Sequence, residues 1–181
     1  INVTAGSSIT SNETLLSDGA VSLTAGGDVV LADNTVASDE RPVAVDADGA
    51  VAVSGTELAV QADVLGSSVT VDATGRFTME AGTALASESE DIIISAVGDV
   101  VAAQLATNGL VAITSSDGSV FLSENLFGSD GDGIGGLAVD AREVVQLTAI
   151  KTSDGGLTAT AGDTIWIRGQ IQSSGDVTFT I

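Results

Sequence analysis

The sequence predicts an all-β chain folded as a right-handed parallel β-helix, a β-solenoid of about eight three-strand coils of 19–26 residues. Three observations predict it. A short pattern (apolar, any residue, apolar, then Thr, Ser or Asp, then usually Ala) begins nine times, at Ile1, Val21, Val43, Val69, Ile92, Val111, Leu137, Leu157 and Val177. A second apolar stretch opens eight positions later at Ile9, Val29, Val51, Phe77, Val100, Val145 and Ile165, and nine later at Val120. A third, shorter stretch ends in a small hydroxyl residue, as at Leu85/Ser87, Leu105/Thr107, Ile150/Thr152 and Ile171/Ser173.

The first strand of each coil alternates apolar with small or polar residues, the period of a half-buried strand. The turn to the second strand carries Gly27, Gly49, Gly75, Gly98 and Gly118, as expected where a tight turn needs a positive φ without a Cβ clash. A repeat of about 20 residues cannot bury its apolar face alone, so coils must stack. A left-handed hexapeptide helix would keep six-residue steps, and a β-sandwich would not require nine in-phase repeats.

Stacking turns each motif position into a rank along the rod. The inward rank reads Val3, Leu23, Val45, Val71, Ile94, Ile113, Val139, Ala159 and Phe179. The fourth position reads Thr4, Thr24, Asp46, Asp72, Ser95, Thr114, Asp140, Thr160 and Thr180, and is expected to face solvent. The two longest coils, after Val43 and after Val111, are expected to carry loop insertions near residues 62–68 and 126–136. The motif is already running at Ile1 and is interrupted at Ile181, so residues 1–181 read as one β-helix segment excised from a much longer solenoid.

Composition narrows the function. Twenty-five Asp and Glu against five Lys and Arg give a net charge of -20, yet 44% of residues are hydrophobic, so the chain folds rather than forming an acidic tail. That charge disfavours nucleic acid and anionic lipid surfaces. With no Cys and no His, disulfides, thiolate chemistry and the commonest general base are absent. No apolar run approaches the roughly 20 residues of a membrane helix, so membrane insertion is not expected.

The run VSLTAGGDVVL at Val21–Leu31, echoed at Val43–Val53, Val69–Met79 and Leu157–Ile167, resembles the repeat region of filamentous-haemagglutinin-type exoproteins. The resemblance covers essentially the whole chain. It implies a secreted or surface-exposed bacterial adhesin or extracellular fibre protein, with no catalytic residues to carry over. The Asn-Pro motifs of the family's secretion domain are missing, since the single Pro, Pro42, follows Arg41.

Three candidate sites are legible. Asp46 and Asp72, on adjacent coils, would stand about 5 Å apart, the separation of a retaining glycosidase. Without Tyr or His, and with one Lys and one Trp, solvated turn residues are the simpler reading and no enzyme is expected. Asp130 and Asp132 lie in an acidic, glycine-rich segment able to wrap Ca²⁺ with carboxylate and carbonyl oxygens; the competing reading is an exposed loop. The intervening rank of the second strand reads Thr10, Val30, Ala52, Thr78, Val101, Phe121, Gln146 and Trp166. Large apolar residues at outward positions mark a partner surface at Val101, Phe121 and Trp166, for a neighbouring rod, further coils of a parent chain or a cell-surface or matrix glycan. The alternative is a lid formed by residues 126–136, including Phe127.

Overall fold

The computed structural model describes residues 2–11, 16–17, 21–25, 29–31, 37–38, 43–47, 51–55, 58–60, 64–66, 68–73, 75–79, 81–87, 90–124, 126–127 and 133–181. Side chains are described at 2–10 and, within that set, from Val64 onward except at Leu65, Gly66 and Phe127. The described residues form a β-solenoid of parallel strands without helices.

The first sheet stacks nine strands: β1 (Asn2–Ala5), β4 (Val21–Ala25), β7 (Val43–Ala47), β10 (Val64–Gly66), β13 (Ala84–Ser87), β16 (Gln104–Ala106), β19 (Leu126–Phe127), β22 (Ile150–Lys151) and β25 (Ile171–Gln172). The second stacks nine more: β2 (Ile9–Ser11), β5 (Val29–Leu31), β8 (Val51–Gly55), β11 (Val69–Ala73), β14 (Ile92–Ala96), β17 (Leu110–Ser115), β20 (Gly136–Ala141), β23 (Leu157–Ala161) and β26 (Val177–Thr180). The third holds β9 (Leu58–Val60), β12 (Phe77–Met79), β15 (Val100–Ala102), β18 (Val120–Leu122), β21 (Val144–Leu147) and β24 (Thr164–Ile167). A separate pair, β3 (Leu16–Ser17) with β6 (Ala37–Ser38), takes the third place in the N-terminal rungs. Along the chain the strands visit these three places in unbroken rotation, as the three-strand repeat predicts.

Alternation decides which side chains enter the core. In β11, Val69, Val71 and Ala73 are buried while Thr70 and Asp72 are exposed; β14 and β23 likewise bury their alternate residues. The first sheet stacks Leu85 on Leu105, Leu105 on Leu126 and Leu126 on Ile150. All four are buried, each contributing about 1.5–3 kcal/mol relative to exposure. Inward positions on the outermost strands have a neighbouring rung on one side only. Val3, Val177 and Phe179 are accordingly exposed by 37%, 45% and 41%.

Hydroxyl groups fasten the corner between the first and second sheets. Ser87 Oγ donates to the Glu90 carbonyl at 2.8 Å, and Thr152 Oγ1 donates to that of Gly155 at 2.8 Å. Thr107 Oγ1 accepts from the Gly109 N–H at 2.9 Å. The small hydroxyl residue that ends the third sequence stretch therefore closes a turn with a side-chain bond. All three hydroxyl residues are buried and partnered.

The structure corrects the sequence reading in one place with wide consequences. The stretch 62–68, expected as a loop insertion, contains the strand β10, which buries Val64 and pairs on both sides, with Val45 of β7 and Leu85 of β13. The coil from Val43 to Val69 thus holds four strands, β7 to β10. One extra strand advances every later strand by one place. The repeated motif lies on the first sheet in β1, β4 and β7, and on the second from β11 onward. Val71 stacks on Val53, not on Val45, so the inward rank expected to run from Val3 to Phe179 is two ranks on two sheets.

Candidate functional surfaces

The same shift dissolves the carboxylate pair. Asp46 lies opposite Leu65 on the first sheet, and Asp72 lies opposite Ser54 on the second. They share no ladder. Asp72 is exposed, and its neighbour on the other side in register is Ser95.

The expected partner surface divides likewise. Val101, Phe121, Gln146 and Trp166 form one rank on the third sheet, continuous with Thr78, in successive register pairs. Thr10, Val30 and Ala52 belong instead to the second sheet, where Ala52 lies opposite Thr70. Three large apolar residues remain on the third face rather than four. Val101 and Phe121 are half-buried, while Trp166 is 46% exposed.

Beside Trp166 stands a group the sequence reading missed. The Arg168 guanidinium carbon lies 5.3 Å from the centroid of the indole ring, within the range of a cation–π contact. Among the described residues no carboxylate pairs with Arg168, although the chain carries 25 acidic residues. The signal was present: residues two apart share a strand face, and Trp166 and Arg168 are two apart.

The described ends of the second insertion turn inward. Leu126 is buried on the first sheet, and Ile134 is fully buried, bridging to Thr152. The Ile134 N–H donates to the Lys151 carbonyl at 2.9 Å, and the Ser153 N–H donates to that of Ile134 at 2.7 Å. Neither residue lies over the third sheet. The Phe127 side chain and residues 128–132, including the expected Ca²⁺ donors Asp130 and Asp132, lie outside what the structure describes. Among the described residues no three Asp or Glu side chains converge to hold a metal.

Where the chain re-enters register, glycine replaces side chains at the corner. Gly109, Gly135, Gly136, Gly155 and Gly156, with Leu110, line a shallow groove of about 450 Å³. Rung-to-rung packing accounts for it. A Cβ on Gly109 would come within 2.6 Å of the Glu90 carbonyl oxygen, and one on Gly155 would strike that of Gly135. Stacking requires glycine at Gly109, Gly135, Gly155 and Gly156, and the groove is its by-product; at the turn glycines Gly98 and Gly118 it is likewise the close approach of the neighbouring rung, not the expected positive φ, that disfavours a side chain. Comparison of the chain with protein-family models, with curated proteins and with solved structures finds no match.

Proposed function

We propose that the chain is a structural segment of a secreted or surface-exposed bacterial adhesin or extracellular fibre protein of the filamentous-haemagglutinin type, wound as a right-handed β-helix of about eight coils. The observation that carries this reading is the apolar column shared by three parallel sheets, with Asp72, Thr114 and Asp140 of the fourth motif position exposed. Such a column gives length and stiffness from short repeats, which suits a rod that spaces an adhesive tip. With the Asp46/Asp72 pair on separate sheets, the polysaccharide-degrading alternative loses the arrangement that suggested it, and no enzymatic role is assigned. Its partners in this reading are further coils of a parent chain, other rods and cell-surface or matrix glycans; nucleic acid and membrane insertion have no part in it. The test is antibody labelling of the intact source cell. Labelling without permeabilisation is expected, and labelling only after permeabilisation would overturn the reading.

A carbohydrate-binding module is the second reading, favoured by the exposed Trp166 with Arg168 beside it. Since the chain has one Trp, its fluorescence reports on that position alone. Saturable quenching by an oligosaccharide, lost in Arg168→Ala, would favour the module. No response across neutral and acidic oligosaccharides would leave the rod.

A further inference from the structure

We infer that β10 is a phase-setting strand: by adding a fourth strand to one coil, it rotates the face that presents the polar motif rank by one third of a turn. Before it, the fourth motif position stands on the first sheet at Thr4, Thr24 and Asp46, in successive register. After it, the same position stands on the second sheet at Asp72, Ser95, Thr114, Asp140, Thr160 and Thr180. Each segment is in phase with itself, and the exchange happens within a single coil.

Strand number, rather than coil length, sets the phase. Val43 to Val69 and Val111 to Leu137 are both 26 positions apart. Among its described residues the second of these coils holds β17, β18 and β19, and its motif stays on one sheet, with Ile113 opposite Val139. In the first coil, β10 is in register with both neighbours, and β8 meets β11 in five consecutive pairs. The sequence also fits the unshifted stack. Without β10, Val43 would meet Val69, Val51 would meet Phe77 and Leu58 would meet Leu85, apolar on apolar at each place. The four-strand coil is thus a separable joint that directs the two motif ranks to different sides of the rod. A partner that reads the fourth-position rank on the C-terminal segment must approach a different face from one that reads it on the N-terminal segment.

Pairs of introduced cysteines test this without interference, because the chain has no Cys of its own. Pyrene attached to Ser54→Cys/Asp72→Cys in the full chain is expected to give excimer emission severalfold above that of Asp46→Cys/Asp72→Cys. Deleting residues 61–65 shortens the coil from 26 positions to 21 and removes the body of β10. The deleted chain is expected to keep its β circular dichroism and to exchange the two signals, with the Asp46/Asp72 pair now forming the excimer. Deleting residues 128–132 from the other long coil is expected to leave the excimer of a Thr114→Cys/Asp140→Cys pair in place. A strong Asp46/Asp72 excimer in the full chain would overturn the inference whatever the fate of the deletions. So would loss of β structure, or a persistent Ser54/Asp72 excimer, on deleting 61–65, and so would loss of the Thr114/Asp140 excimer on deleting 128–132.

Discussion

The coil from Val43 to Val69 and the coil from Val111 to Leu137 have equal length and opposite consequences. Both exceed the commonest onset spacing of 20 residues by six. In the first, Val64 enters the core and β10 pairs with the strands on both sides, making a strand that shifts everything after it. In the second, β19 ends at Phe127, Ile134 bridges to Thr152, and the phase is kept. Extra length in a solenoid therefore has no fixed meaning. Two apolar residues able to bridge neighbouring rungs make it a strand in the first coil, while in the second, Gly- and Asp-rich with one apolar residue before its return, the motif keeps its sheet.

The contrast can be broken most forcefully at Ile134. If its burial is what draws the second coil back into register, Ile134→Ala should cost about 2–5 kcal/mol in urea unfolding. A cost below about 1 kcal/mol would show that re-entry does not depend on it. Gly155→Ala comes next, because the new Cβ runs into the carbonyl oxygen of Gly135 in the rung beneath. Overpacking there should cost about 1–3 kcal/mol, and an unchanged urea midpoint would contradict the close stacking. Thr152→Val removes the hydroxyl that donates to the Gly155 carbonyl at 2.8 Å and lies within hydrogen-bond distance, 2.9 Å, of Ser173 Oγ. About 1 kcal/mol is expected from that loss, without change of register. The smallest effect belongs to deletion of residues 128–132, expected within about 0.6 kcal/mol of the parent on loop-closure grounds. The same deletion tests the proposed Ca²⁺ donors. A melting midpoint that rises with millimolar Ca²⁺ in the parent and not in the deletion would assign the ion to Asp130 and Asp132, whereas an equal rise with NaCl at matched ionic strength would be charge screening.

Much of the fold is legible in the sequence because each rung repeats the same physical constraint. The alternation in VTVDA, IIISA and LTATA marks inward and outward positions, and Ser87, Thr107 and Thr152 mark the corner. What is not legible is the phase. VAVDA at Val43 and VTVDA at Val69 differ at one position, so likeness argues for stacking them directly, and no local feature of either strand reports the place it occupies. The short Val64-Leu65-Gly66 looks like part of a turn until its neighbours Val45 and Leu85 are known. Ile134 is hidden for the opposite reason, since five glycines within Gly128–Gly136 suggest a loop to its end. Of the candidate surface, Val101, Phe121 and Trp166 fall in one register rank because no strand is added or lost between them. Val30 is misplaced because one is.

Hydrogen exchange at Val64, Leu65 and Gly66 tests most directly whether the first long coil contains a fourth strand. Amides bonded into a ladder between β7 and β13 should exchange as slowly as those of Leu85 and Ala86 in β13. Exchange at the rate of an open loop, with Leu85 and Ala86 still protected, would contradict the fourth strand and the rotation that depends on it.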